Sequence, residues 1–217
     1  MSIETLRITE IFYSIQGEAA TVGLPTVFIR LTGCPLRCNY CDTAYAFQGG
    51  HSETLQHILS EVARYQPRFV TVTGGEPLAQ KECLTLLTLL CNAGYEVSLE
   101  TSGAMSIEHV DPRVCTVMDL KTPSSGEMHR NLEANLNFIK KTDQLKWVIA
   151  DRKDYDWARF KIDEFSLKNR VAHLLFSPSF GVLSPTILAE WMLADRLSSV
   201  RIQIQLHKYL WGNAQGK

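Results

Sequence analysis

Seven short apolar runs rich in β-branched residues recur along the chain, at Val27–Ile29, Phe69–Val72, Tyr95–Leu99, Cys115–Met118, Lys146–Ile149, His173–Phe176 and Arg201–Ile204. Each reads as a buried strand. Segments of helical periodicity separate most of them, among them Glu82–Asn92 with its leucines on one broad face, Arg130–Lys140, and Pro185–Arg196. Alternation of this kind predicts a parallel α/β sheet with helical crossovers. Six or seven units are too few to close an eight-fold barrel, so the expected fold is an open, partial (β/α) barrel of about six to seven parallel strands. Ligands in such sheets sit at the carboxyl ends of the strands.

The chain has 217 residues, 45% of them apolar, which suits one domain over 1–217 with a short carboxyl-terminal extension from Trp211 to Lys217. That extension is polar and Gly-containing and reads as the most mobile end. A formal net charge of -1, with Lys and Arg dispersed, leaves no footprint for nucleic acid or an anionic membrane. A small-molecule substrate and a cytoplasmic location are the expectation. No signal peptide is recognisable and the chain is long enough to bury a core, so Cys83, Cys91 and Cys115 are read as buried thiols rather than disulfide partners.

Cys34, Cys38 and Cys41 are different, because they crowd into one loop, Gly33-Cys34-Pro35-Leu36-Arg37-Cys38-Asn39-Tyr40-Cys41-Asp42-Thr43. Three thiolates can ligate three irons of a four-iron cluster and leave the fourth iron for a co-substrate. A zinc site is the alternative, with His51 as a fourth ligand, although closed zinc sites usually draw on two paired ligand clusters. The CxxxCxxC spacing with an aromatic before the last cysteine resembles the radical S-adenosylmethionine (SAM) enzymes. That resemblance implies a [4Fe-4S] cluster whose open iron is chelated by the methionyl group of SAM. Thr73-Gly74-Gly75-Glu76-Pro77 alone is a tight turn after a strand. Beside the cysteine loop it resembles the superfamily's GGE motif, which implies SAM contacts at Gly75 and Glu76 and a backbone contact to adenine at Tyr40. Asp119-Leu120-Lys121 and Phe176-Ser177-Pro178-Ser179 end later strands and are candidates for the remaining SAM contacts, with ordinary strand termini as the other reading.

The amino-terminal stretch Glu10-Ile11-Phe12-Tyr13-Ser14-Ile15-Gln16-Gly17-Glu18 narrows the resemblance. Together with Phe28–Cys34, Cys41-Asp42-Thr43, Glu100-Thr101-Ser102-Gly103 and the late Gln205-Leu206-His207-Lys208-Tyr209-Leu210, it is similar to the 7-carboxy-7-deazaguanine synthase (QueE) family. The resemblance implies ring contraction of 6-carboxytetrahydropterin with loss of ammonia, on the route to queuosine. A 5′-deoxyadenosyl radical would remove hydrogen from C6 of the pterin. It further implies substrate contacts at Ile15, Gln16, Gly17, Arg30, Thr73 and His207, a Mg²⁺ ligand at Thr43, an external electron donor such as a flavodoxin, and a homodimer. Arg30 suits the substrate carboxylate through a bidentate pair. Many relatives carry Ser-Pro-Lys where this chain has Asp119-Leu120-Lys121, so only Lys121 carries over directly. The alternative within the superfamily is a glycyl-radical enzyme activase, which shares the cysteine spacing but lacks the QGE segment and the terminal HKYL.

Overall fold

Nine strands form one sheet in the computed structural model, which describes residues 4–217. They are β1 (Thr5–Ile15), β2 (Pro25–Leu31), β3 (His51–Thr54), β4 (Phe69–Gly74), β5 (Glu96–Thr101), β6 (Cys115–Asp119), β7 (Gln144–Ile149), β8 (His173–Pro178) and β9 (Val200–Ile202). In space the order is β3-β1-β2-β4-β5-β6-β7-β8-β9. From β2 to β9 every neighbouring pair is parallel, so all seven apolar runs are strands of one parallel array. β3 and β9 lie at opposite edges and the sheet stays open.

Two strands go beyond the seven expected. The amino-terminal signature is itself β1, which runs antiparallel to both β2 and the short β3. Leu6 and Ile8 are buried in the core; a register shift between Ile8 and Glu10 then exchanges the faces, so that Ile11 packs on the core and Phe12 lines the cavity.

Four helices cross between parallel strands: α1 (Leu55–Arg64), α2 (Cys83–Asn92), α3 (Arg152–Glu164) and α4 (Pro185–Ala194), while α5 (Leu206–Trp211) follows β9. The starts of α1, α3 and α4 are capped by side chains. Thr54 accepts from the His57 N–H, Asp151 from Asp154, and Ser184 from Thr186 with Pro185 in the first turn. The helix expected over Arg130–Lys140 is instead a pair of short 3₁₀ turns at Met128–Arg130 and Glu133–Asn137. Two asparagines explain the difference. Asn131 exchanges hydrogen bonds with the backbone of Lys121, and Asn135 bridges Gly103, Met105 and Ile107, so these side chains draw the backbone away from helical pairing.

Two apolar clusters hold the sheet to its helices. One joins β1, β2, β4 and β5 to α1 and α2, and the other joins β7 and β8 to α3 and α4. In the second, Trp147 and Tyr155 meet Phe176 edge-on at 5.8 and 5.6 Å. Burial of each such side chain contributes roughly 1.5–3 kcal/mol, which fixes the strand ends from which the site is built. Cys83 is buried in the first cluster, while Cys91 and Cys115 are half-buried.

Candidate active site

A cavity of about 570 Å³ opens at the carboxyl ends of the parallel strands. On one wall stand Cys34, Cys38 and Cys41, in the loop that leaves β2. The loop is tied down from several sides. Gly33 donates to Ala46 O at 2.8 Å, Asn39 N to Ser125 O at 3.0 Å and Arg37 N to Glu127 Oε1 at 2.6 Å. The Arg37 guanidinium returns to the Cys34 and Leu36 carbonyls at 2.8 and 2.7 Å and lies over the Phe47 ring. Leu36 is buried beneath the loop.

Burial pushes all three thiols upward, Cys38 to about 11, and the Lys121 ammonium opposes that shift at each of them. Thiols in this state become thiolates when metal displaces their protons. Among the described residues no group of three or more His, Cys, Asp or Glu converges on a point that could hold one ion. His51, which a zinc site would need as its fourth ligand, pairs with Glu53 at 3.2 Å outside the cavity. Three thiols spread along one wall fit a cluster in which each takes a different iron.

Gly75 sits against this loop, and a Cβ placed on it would strike the Gly33 carbonyl and Cys34 Cβ. Asp119 and Lys121, at and just beyond the end of β6, also face the cavity, with Lys121 Nζ donating to Asp119 Oδ2 at 2.8 Å. Burial alone would lower the Lys121 ammonium, but Asp119, Tyr40 and Cys38 together outweigh it and raise the lysine above its ordinary range. The other oxygen, Asp119 Oδ1, is buried without a hydrogen-bond partner, which marks it as an acceptor awaiting a ligand. Tyr40, Ser177, Pro178 and Ser179 complete this half. Three of the expected SAM contacts lie elsewhere. The Glu76 side chain is fully buried, holding Thr101, Ser102 and the Leu78 N–H, and Leu120 and Phe176 are packed into the core. None of these three lines the cavity.

The opposite half gathers Ile15, Gln16, Gly17, Arg30, Thr73 and His207, all of the residues expected at the substrate. Gln16 Nε2 donates to Thr71 Oγ1 and to Glu100 Oε1, each at 3.2 Å, and its Oε1 accepts from Glu18 N at 3.2 Å. Its amide is thus largely committed to holding the wall. Thr73 Oγ1 donates to Glu100 Oε2 at 3.0 Å. Each Glu100 oxygen keeps a lone pair, and desolvation, followed by the nearby Glu18, raises this carboxyl above its ordinary range. Glu18 is ion-paired with Lys146, and both are largely buried.

Glu100, Glu18 and Lys146 also line the cavity, and no role for them was legible in the sequence. The available signal was the acid at the end of an otherwise alternating apolar strand, Glu96–Thr101. The late segment closes this side: Leu206 N donates to Gly17 O at 3.0 Å, Gln205 Nε2 to Glu18 Oε1 at 2.8 Å, and Lys208 pairs with Asp42 at 3.4 Å. Burial lowers the His207 imidazole, which favours its neutral form. Thr43 Oγ1 donates to Asp42 Oδ1 at 2.8 Å and borders the same space. The extension read as a mobile end returns to this rim, where Asn213 and Lys217 line the cavity.

The Radical SAM superfamily model matches residues 28–112, the stretch that carries the cysteine loop and Gly74-Gly75. The chain is 45% identical over 215 residues to a 7-carboxy-7-deazaguanine synthase of Chlorobaculum tepidum, covering 97% of each. It is 39% identical to a protein of the same name from Koribacter versatilis, covering 95% of this chain and 97% of that one. In fold it is similar to the crystal structure of QueE from Escherichia coli, with a TM-score of 0.74 and 22% identity, over 94% of this chain and 95% of that chain. The chain belongs to the 7-carboxy-7-deazaguanine synthase family of radical SAM enzymes.

Proposed function

We propose that the chain is the ring-contracting lyase that converts 6-carboxy-5,6,7,8-tetrahydropterin to 7-carboxy-7-deazaguanine with loss of ammonia. One observation carries the residue-level reading: a single cavity is lined by the three cysteines on one side and by Gln16, Arg30, Thr73 and Glu100 on the other. The relatives matched over nearly their full length are named as synthases rather than as activases of a protein, and the segment from Gln205 to Lys208 borders the second half through Glu18, Gly17 and Asp42.

Cys34, Cys38 and Cys41 hold the cluster, and Gly75, Tyr40, Asp119, Lys121, Ser177, Pro178 and Ser179 hold SAM. When bound, cluster and SAM together would supply the radical chemistry that the reaction needs at C6 of the pterin. Everything else falls to side chains of this chain. Asp119 Oδ1 accepts from a ribose hydroxyl, and Lys121 supplies positive charge beside the thiolates. Glu76 acts from behind the wall, by joining the end of β4 to the end of β5. The Arg30 guanidinium takes the substrate carboxylate. Glu100 accepts from the pterin N–H groups with the lone pairs that Gln16 and Thr73 leave free. Neutral His207 and the backbone of Ile15 and Gly17 border the ring, and the closed rim excludes water and competing hydrogen donors.

Thr43 offers Mg²⁺ one hydroxyl oxygen beside the Asp42 carboxylate. Burial alone would raise Asp42, but the Thr43 hydroxyl and Lys208 keep it below its ordinary range. One hydroxyl makes a poor site, so metal and substrate carboxylate bind together. A flavodoxin-type donor and a homodimer belong to the same reading, on the strength of the family resemblance.

The two halves are tested by crossing two affinities in the reconstituted protein. Ser179→Ala should weaken SAM and leave the pterin unaffected, and Thr73→Val should do the reverse. Loss of both affinities in both variants would overturn the division. Turnover that stays intact in Thr43→Ala while metal dependence disappears would overturn the Mg²⁺ assignment.

A further inference from the structure

Arg30 is held on the cavity wall by Glu10 and Tyr45, which do not themselves reach the cavity. It stands directly opposite Glu10 in the antiparallel pairing of β1 with β2, so the two side chains share a face. Arg30 Nε donates to Glu10 Oε1 at 2.7 Å, and the Tyr45 hydroxyl donates to the same oxygen at 2.8 Å. The guanidinium carbon lies 5.7 Å from the Phe12 ring centre and 5.8 Å from that of Tyr45, which limits how far the plane can tilt. Phe12 is itself braced by stacking on Phe28 at 5.0 Å. Among the described residues, Arg30 Nη1 and Nη2 make no hydrogen bond to the protein, and Arg30 lines the cavity while Glu10 and Tyr45 do not.

We propose that Glu10 and Tyr45 are positioning residues that grip the Arg30 guanidinium by its Nε edge and present Nη1 and Nη2, end-on, to a planar carboxylate in the cavity. The proposal rests on the assignment of Arg30 to the substrate carboxylate and adds how the guanidinium is aimed. With the Nε edge occupied, the side-on pairing through Nε and one Nη is closed to the substrate. Only the outer two nitrogens remain, and their fixed plane sets the plane of the bound carboxylate. A carboxylate placed this close to an anion site has an apparent cost, since Glu10 repels the substrate. The Tyr45 hydroxyl reduces that cost by donating to the Glu10 oxygen.

Two accounts of Glu10 therefore differ in sign. If Glu10 acts only as a nearby negative charge, removing it tightens the carboxylate. If it positions Arg30, removing it frees a side chain with many rotamers and weakens the carboxylate.

The test uses the reconstituted holoenzyme, with KM for 6-carboxytetrahydropterin, inhibition by tetrahydropterin lacking the carboxylate, and SAM affinity as readouts. Glu10→Ala is expected to raise KM by about tenfold or more, with SAM affinity and inhibition by tetrahydropterin unchanged. Glu10→Gln keeps an acceptor oxygen for Nε and should restore KM to near the parent value. Tyr45→Phe should raise KM by roughly threefold, and it serves where Glu10→Ala does not fold. A Glu10→Ala KM equal to or below that of the parent overturns the proposal, as does an equal loss of SAM affinity, which would mark a merely structural role. Arg30→Gln separates the two levels. Unchanged KM in Arg30→Gln removes the carboxylate assignment and the proposal with it. A raised KM in Arg30→Gln with parent-like Glu10→Ala and Tyr45→Phe removes the positioning role alone.

Discussion

The side-chain amide of Gln16 donates to the carboxylate of Glu100 at 3.2 Å, joining the residue that follows β1 to the end of β5 across 84 positions of sequence. Thr73, from β4, holds the other Glu100 oxygen, so three strands converge on one half-buried acid at the wall of the cavity. Glu100→Gln is expected to raise KM for the pterin by about tenfold or more, the worth of a hydrogen bond to a charged group, while SAM affinity holds. Steady-state kinetics and a SAM binding isotherm check this.

The same acid makes a stability prediction. Desolvation and Glu18 raise the Glu100 carboxyl above its ordinary value. A native state that favours the protonated acid has that contribution in full below the ordinary value and loses it as pH climbs through the raised one. Glu100→Gln carries no charge at any pH, so it should melt above the parent in mildly alkaline buffer. The advantage should vanish on acidification toward the ordinary carboxylate range. A melting difference that is flat across this window would contradict the assignment.

Glu18 and Lys146 form a largely buried ion pair, and removal of one partner strands the other. Lys146→Met should lower unfolding stability by about 3–5 kcal/mol, with two carboxyls then left facing each other. Adding Glu18→Gln should recover most of that loss. Urea unfolding of the single and double variants measures the coupling.

Gly75 and Gly17 are among the positions where no side chain fits without displacing a neighbour. A Cβ at Gly75 meets the Gly33 carbonyl and Cys34 Cβ, both part of the cysteine loop itself. A Cβ at Gly17 meets the His207 ring, which belongs to α5 and can swing away. Gly75→Ala should therefore lose iron on reconstitution, and Gly17→Ala should keep iron but bind the pterin weakly. Iron analysis paired with substrate titration separates them.

Cysteines in the cavity and in the core should part company in the same assay. Cys38→Ser is expected to lose the cluster absorbance and iron content. Cys83→Ala, buried between α2 and the sheet, should keep both and lose only about 1 kcal/mol of stability. Loss of iron in Cys83→Ala would contradict the placement of the cluster.

Much of this arrangement was legible in the sequence because it is local. The β-branched runs fixed seven strands, and the CxxxCxxC spacing fixed one wall of the cavity. β1 escaped as a strand because polar residues such as Arg7, Thr9 and Glu10 interrupt it and a register shift between Ile8 and Glu10 breaks its alternation. The Arg130–Lys140 segment showed helical spacing, but the capacity of Asn131 and Asn135 to bind distant backbone outweighed it. What stayed hidden depends on register. Gln16 with Glu100 and Glu18 with Lys146 are paired across 84 and 128 positions, and no local pattern announces which polar residues will meet. The inward turn of Glu76 is of the same kind, since its partners Thr101 and Ser102 come from the next strand and the turn after it.

The most direct test is turnover itself. The protein would be reconstituted anaerobically with iron and sulfide, reduced, and supplied with SAM, Mg²⁺ and 6-carboxytetrahydropterin, and the mixture read by mass spectrometry. The expected result is 7-carboxy-7-deazaguanine from the parent protein and none from Cys38→Ala. Cleavage of SAM with no such product, from protein that carries a full cluster, would contradict the assignment of this cavity to the pterin.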